Sequence, residues 1–184
     1  MALIQLTDSV GVDARIYEFQ DYLFSTISID GLVNADDWQC YPRAYKNPWK
    51  RDKRPEIYIG GGDYKEVFYD DAFKMSSFFI VSDERSEDNG VLTTEVSLIV
   101  QANIQEIFPS IAHRADEELN NEFLLASENY YLADQFRYTR IQTSVENVYR
   151  EFIKDELWLD DMSEHYVVRF DFEVRYTPEC CINC

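Results

Sequence analysis

The chain has 184 residues, 46% of them hydrophobic and 15% aromatic, which is enough to bury the core of one domain and too apolar for disorder. Thirty-five acidic side chains against seventeen basic ones leave a net charge of −18, which repels nucleic acid and anionic membranes over most of the surface. No apolar run is long enough for a membrane span. The opening "MALIQLTDSVGVDAR" lacks the basic start and apolar core of a secretory signal, so the chain is expected to remain in the cytoplasm.

In "VDARIYEFQDYLFSTI" the apolar positions Val12, Ile16, Phe19, Leu23 and Ile27 step by three or four, which predicts a helix with one buried face. Asp8 or Ser9 can cap it. Residues 36–55 carry Pro, Asn and charge without periodicity and read as a long basic loop. Within it, "RAYKNPWKRDKR" holds six of the seventeen basic residues: Arg43, Lys46, Lys50, Arg51, Lys53 and Arg54. Tyr41, Tyr45 and Trp49 are interleaved with them. Such a mixture suits a nucleic-acid groove or a protein hot spot. An acidic body opposes nucleic acid, so a protein interface is the better reading.

Next, "PEIYI" and "YKEVFYD" read as strands on either side of Gly60, Gly61 and Gly62. A phosphate-binding loop needs a helix directly after its glycines, and here a strand follows. The glycines are the turn of an extended hairpin, where positive φ is required. "MSSFFIVSDE" predicts a short strand and "SEDNG", residues 86–90, a turn. In "TEVSLIVQANIQEI", Val96, Leu98, Val100, Ala102 and Ile104 face one way; Glu95, Ser97, Ile99, Gln101, Asn103 and Gln105 face the other. That alternation predicts a long antiparallel strand with one wet face.

"PSIAHRADEELNNEFLLASENY" predicts a second helix opened by Pro109 or Ser110, with His113 in its first turn. Ile111, Ala115, Leu119, Phe123 and Ala126 form its apolar side. "FRYTRIQTSVENVYREF" begins as a strand and then becomes ambiguous, and "DELWLDDMSE" is a polar connection. In "HYVVRFDFEVRYT" apolar residues alternate with Arg169, Asp171, Glu173 and Arg175, predicting a half-buried strand. Residues 177–184 read as a flexible tail. The whole, residues 1–184, is expected to be one α+β domain: a twisted, mainly antiparallel sheet with two helices packed on one face, an extended hairpin and the long basic loop.

Little points to chemistry. The pairs Asp36–Asp37, Asp70–Asp71 and Asp160–Asp161 are expected as solvated turn charges in so acidic a chain. His113 and His165 belong to no nucleophile or zinc motif. Cys181 and Cys184 have zinc half-site spacing, but Cys40 and Cys180 supply no second pair, so a tail of thiols is expected instead of a metal. No catalytic residue, metal or cofactor is predicted. The predicted site is a protein interface made by Arg43, Lys46, Trp49, Lys50, Arg51, Lys53 and Arg54 with Gly60, Gly61 and Gly62.

The helix "IYEFQDYLFSTI", the basic segment leading into "PEIYIGGGDYKEVFYDD", the helix "ADEELNNEFLLASE", and then "SVENVYREF" and "YVVRFDFEVRYT" follow one another in a familiar order. In that order the chain resembles the tail-terminator and tail-completion proteins of tailed bacteriophages. The resemblance implies a non-enzymatic virion protein of the neck or tail, assembled in the host cytoplasm. Its copies would form a ring of about six or twelve that joins portal or neck proteins to the tail. DNA would only pass through, and an acidic lumen lets a duplex slide. The basic segment would then face an acidic neighbour, and the long loop and "CCINC" tail depart from the family pattern.

Two other classes compete. An acidic DNA mimic or regulatory protein would bind a basic partner through a stripe of carboxylates spaced like phosphates. A metal-dependent hydrolase would need several of Asp36, Asp37, Asp63, Glu66, Asp70 and Asp71 to share a cleft.

Overall fold

The computed structural model describes residues 4–5, 8–27, 29, 37–46, 54–68, 72–132, 134–152 and 164–178. The first helix, α1 (Val12–Thr26), buries Val12, Ile16, Phe19 and Leu23, the face that the spacing predicts. Its N-cap is Gly11 at φ 61°, downstream of the expected Asp8 or Ser9, and no side chain caps it.

The predicted loop over 36–55 is half strand: β1 spans Trp38–Lys46. It shows no alternation because Trp38 to Pro42 are all buried, so both faces of the strand are covered at that end. Pro42 sits where the register with the neighbouring strand shifts, between Cys40 and Arg43, a place where a sheet tolerates proline. The hairpin forms as expected. β2 (Pro55–Gly60) and β3 (Asp63–Glu66) pair antiparallel, Gly60 faces Asp63, and Gly61 and Gly62 make the turn at φ 65° and 91°.

Residues 75–88 form one long strand, β4 (Met75–Asp88), where a short strand and a broad turn were expected. It returns through Asn89–Gly90, both at positive φ, into β5 (Val91–Asn103). Two such residues suffice for the turn, so the acidic stretch before them stays in the ladder, with Asp88 opposite Val91. After a single turn α2 (Ile104–Ile107), the predicted second helix starts late: α3 spans Asp116–Glu128. Asp116, Glu117 and Glu118 in its first turn favour the positive helix end. Pro109, Ser110 and His113 therefore precede the helix instead of opening it. Then come β6 (Phe136–Gln142), the short α4 (Val145–Val148) and β7 (His165–Tyr176).

The strands make one sheet in the order β3-β2-β1-β4-β5-β7-β6. Every described pairing is antiparallel except β1 with β4, which run parallel. The α+β class and mainly antiparallel sheet are thus as expected. One hydrophobic cluster joins α1 and α3 to one face through Phe19, Leu23, Leu119 and Phe123 with Phe79, Leu98, Phe170 and Phe172. Phe19 is its hub, with ring centroids 4.2 Å from Phe136 and 5.2 Å from Phe172.

The face read as wet is also covered. A second cluster packs Val67, Val148, Tyr149 and Phe152 onto Phe78, Ile80, Ile99 and Val167. Ser97, Gln101, Arg169 and Asp171, expected in water, are buried. Among the described residues no helix is long and apolar enough to cross a membrane.

Replacing Phe19 with Ala removes the ring at the centre of the helix-side core and is expected to cost about 3–5 kcal/mol. Exposed Leu125→Ala should stay within about 0.5 kcal/mol. Urea denaturation compares the two.

Candidate protein interface

β2 and β3 extend the sheet past β1 as a two-stranded ribbon, and side chains on its helix side gather into a patch. The register places Ala44 opposite Ile57 and Ile57 opposite Lys65, so Arg43, Tyr45, Tyr58 and Tyr64 share the other face. The rings of Tyr45 and Tyr64 are 6.5 Å apart and those of Tyr58 and Tyr64 5.4 Å. The Arg43 guanidinium lies 4.8 Å above the Tyr45 ring and pairs with Asp13 of α1 at 3.4 Å. Burial, then the Asp13 carboxylate, pushes the Tyr45 phenol up. Arg54 grips both oxygens of Glu66 at 2.9 and 3.0 Å, fastening the start of β2 to the end of β3. Tyr64 and Ile59 stand more than half exposed, at 55% and 52%. Aromatic rings packed together under an arginine, with Tyr64 more than half exposed, make a surface able to anchor a partner.

Of the predicted interface residues, Arg43 and Lys46 lie on β1, Arg54 precedes β2, and Gly60, Gly61 and Gly62 form the hairpin end. Trp49, Lys50, Arg51 and Lys53 lie outside the described residues, as do Asp36, Asp70, Asp71, Asp160, Asp161, Cys180, Cys181 and Cys184. Asp37 pairs with Lys74 at 3.2 Å, and His113 with Glu118 at 2.6 Å on the surface. Cys40 is buried, and burial pushes its thiol up to about 12, so it stays protonated and unreactive at neutral pH. Among the described residues no group of three or more His, Cys, Asp or Glu is placed to hold a metal.

The sequence reading missed a densely connected polar group centred on Asp171. Asp171 accepts Arg169 Nε and Ser97 Oγ on Oδ1, each at 2.7 Å. On Oδ2 it accepts Arg140 Nε and Nη2 at 2.9 and 2.7 Å, and Gln142 Nε2 at 2.7 Å. Arg169 donates also to Ser97 Oγ at 2.7 Å, Glu151 at 2.6 Å and the Val148 carbonyl at 3.3 Å. Arg150 bridges Glu151 and Glu95 at 2.9 and 2.6 Å. Three arginines thus balance three carboxylates across β5, β6, β7 and the segment after α4. Burial works to raise Asp171 and Glu151, but hydrogen bonds and charge from Arg169 prevail and hold both carboxyls below their ordinary range. The one sequence signal was the pair Arg169 and Asp171 on a single face of a strongly apolar strand.

No protein-family model matches the chain, and a search of curated proteins gives no match.

Two outcomes follow from the network. Asp171→Ala leaves Arg169 buried without its main partner and should cost about 3–5 kcal/mol; Arg137→Ala, which removes an exposed pair with Glu173, should cost at most about 1 kcal/mol. Because Asp171 and Glu151 bind protons less readily folded than unfolded, their contribution is complete above the unfolded carboxylate range, near pH ~4. It is lost as pH falls below that range and through the lower folded values. Melting temperatures measured from pH 7 down to pH 2 test this, and Asp171→Asn should flatten the acid limb.

Proposed function

We propose that the chain is a structural assembly subunit, of the tail-terminator or tail-completion kind, whose copies join into a ring in the neck or tail of a bacteriophage. The observation that carries this reading is the β2–β3 ribbon at the edge of the sheet, where exposed Tyr64 packs with Tyr58 and Tyr45, Arg43 lies over Tyr45, and Ile59 is exposed near the hairpin turn. A ribbon of this size cannot cover its own aromatic side chains, and a neighbouring subunit can. Edge strand β3 also has no strand on its outer side among the described residues, an edge that a neighbour can pair with. The net charge of −18 suits a channel wall that repels a passing duplex. The virion setting rests on the resemblance of element order, and assembly rests on the ribbon.

Light scattering of the purified protein, followed by negative-stain imaging, tests the proposal. Closed rings of about six or twelve copies are the expected result. Charge reversal at Lys50, Arg51, Lys53 and Arg54 together should leave a folded monomer that no longer assembles. Assembly unchanged by that reversal removes the basic segment from the interface. A chain that stays monomeric at high concentration and beside tail proteins overturns the proposal.

A further inference from the structure

β1 accompanies β4 for only part of its length. The two run parallel from Trp38 beside Met75 to Arg43 beside Phe79. Past that point the described pairs of β1 are with β2 on its other edge, from Ala44 opposite Ile57 to Lys46 opposite Pro55. β4 continues to Asp88, held on one side by β5, with Arg85 opposite Thr94 and Asp88 opposite Val91. Among the described residues no strand pairs with the outer edge of this distal part. Every residue from Asp83 to Asp88 is exposed.

The edge is preformed. The register between β4 and β5 shifts between Val81 and Arg85. There Ser82 Oγ accepts the Glu84 N–H at 3.1 Å, and the Glu84 carbonyl accepts Thr94 Oγ1 at 2.9 Å, which fastens the irregularity to β5. From Arg85 to Asp88 the ladder resumes. In an antiparallel pair alternate residues turn their N–H and C=O away from the partner strand, and here no described residue takes those outward groups. The side chains decide what can pair there. Asp83, Glu84, Glu87 and Asp88 stand against Arg85 alone, and none of the five enters an ion pair among the described residues. Glu87 and Asp88 point to opposite faces, so both faces of the edge carry an acid. Charged edges deter pairing between like chains, and a second copy brings the same acids to this edge. A strand of opposite charge meets no such barrier.

We propose that the outer edge of β4 from Asp83 to Asp88 is a docking edge for a lysine- or arginine-rich segment of another protein, which adds to the sheet as an extended strand. Backbone hydrogen bonds supply the pairing, and the four carboxylates select a cationic strand. This surface lies on a different strand from the β2–β3 ribbon, and the proposal holds whether or not copies of the chain form a ring.

Fluorescence anisotropy tests it with a labelled peptide of about eight residues that alternates lysine and threonine. The peptide should bind, and its counterpart with glutamate in place of lysine should not. Glu87→Lys with Asp88→Lys should weaken binding about tenfold or more, whereas Glu117→Lys with Glu128→Lys, an equal charge change on α3, should leave it within about twofold. Both double variants change exposed side chains and should keep the parent's circular dichroism spectrum. On the unaltered protein, N-methylation of alternate peptide residues keeps the charge, removes backbone donors and should weaken binding about tenfold. Failure of the lysine peptide to bind overturns the proposal. So does an equal loss in the α3 variant, or no loss on N-methylation, because either reduces the contact to general attraction by an acidic protein. If Glu87→Lys with Asp88→Lys abolishes self-association and leaves peptide binding unchanged, the edge belongs to a contact between copies and the proposal falls.

Discussion

A guanidinium and a carboxylate two residues apart on β7 have no access to water, and much of the outer half of the molecule is arranged around that fact. β7 lies between β5 and β6 and is covered on both faces, so Arg169 and Asp171 must find every hydrogen-bond partner within the protein. Arg169 takes the carbonyl of Val148 and the carboxylate of Glu151, which pins the end of α4 against the sheet. Asp171 takes Arg140 and Gln142, which fixes β6. That second demand explains the irregularity in β6, where Tyr138 faces Phe172 and Arg140 already faces Asp171. The extra residue, Thr139, turns Arg140 away from the aromatic core and onto the face where the carboxylate is. Such a buried pair adds little net stability over apolar side chains of equal size, but it penalises a slipped register heavily.

How much of this was legible follows from what each pattern encodes. Period and spacing tell which residues share a face, and they gave α1, the glycine turn and the two faces of β5 and β7. They do not tell whether a face is covered. Ser97, Gln101, Arg169 and Asp171 carry the composition of a wet face and are dry because residues 148–152, far away in the chain, lie over them. β1 was hidden for a related reason: burial on both sides erases alternation, and Pro42 marks a bulge where a loop was read. The start of α3 is marked by its run of acids and not by the proline upstream. For the candidate interface, composition singled out Arg43, Lys46 and Arg54. The aromatic half of the patch, Tyr58 and Tyr64, depended on pairing register and could not be read from composition.

Charge layout gives the surface a second organising rule. An excess of eighteen negative charges makes any two copies repel at long range, so most encounters are unproductive. Part of that charge is met within the chain: at the base of the ribbon Arg43 pairs with Asp13 and Arg54 with Glu66.

Strand order also fixes the order in which the fold can be completed. β7 is the last described element and an interior strand of the sheet, seated between β5 and β6. Until residues 165–176 have been synthesised, β5 has an open edge along its length and β6 has no sheet to join. Phe170 and Phe172 are missing from one face over the same interval, and Arg169 and Asp171 from the other. The β4–β5 hairpin can form locally, but the sheet closes only by threading β7 into a gap, a step with high contact order. A nascent or C-terminally truncated chain therefore carries an unpaired apolar edge, and its solubility before completion depends on chaperones or on the strong negative charge of the rest.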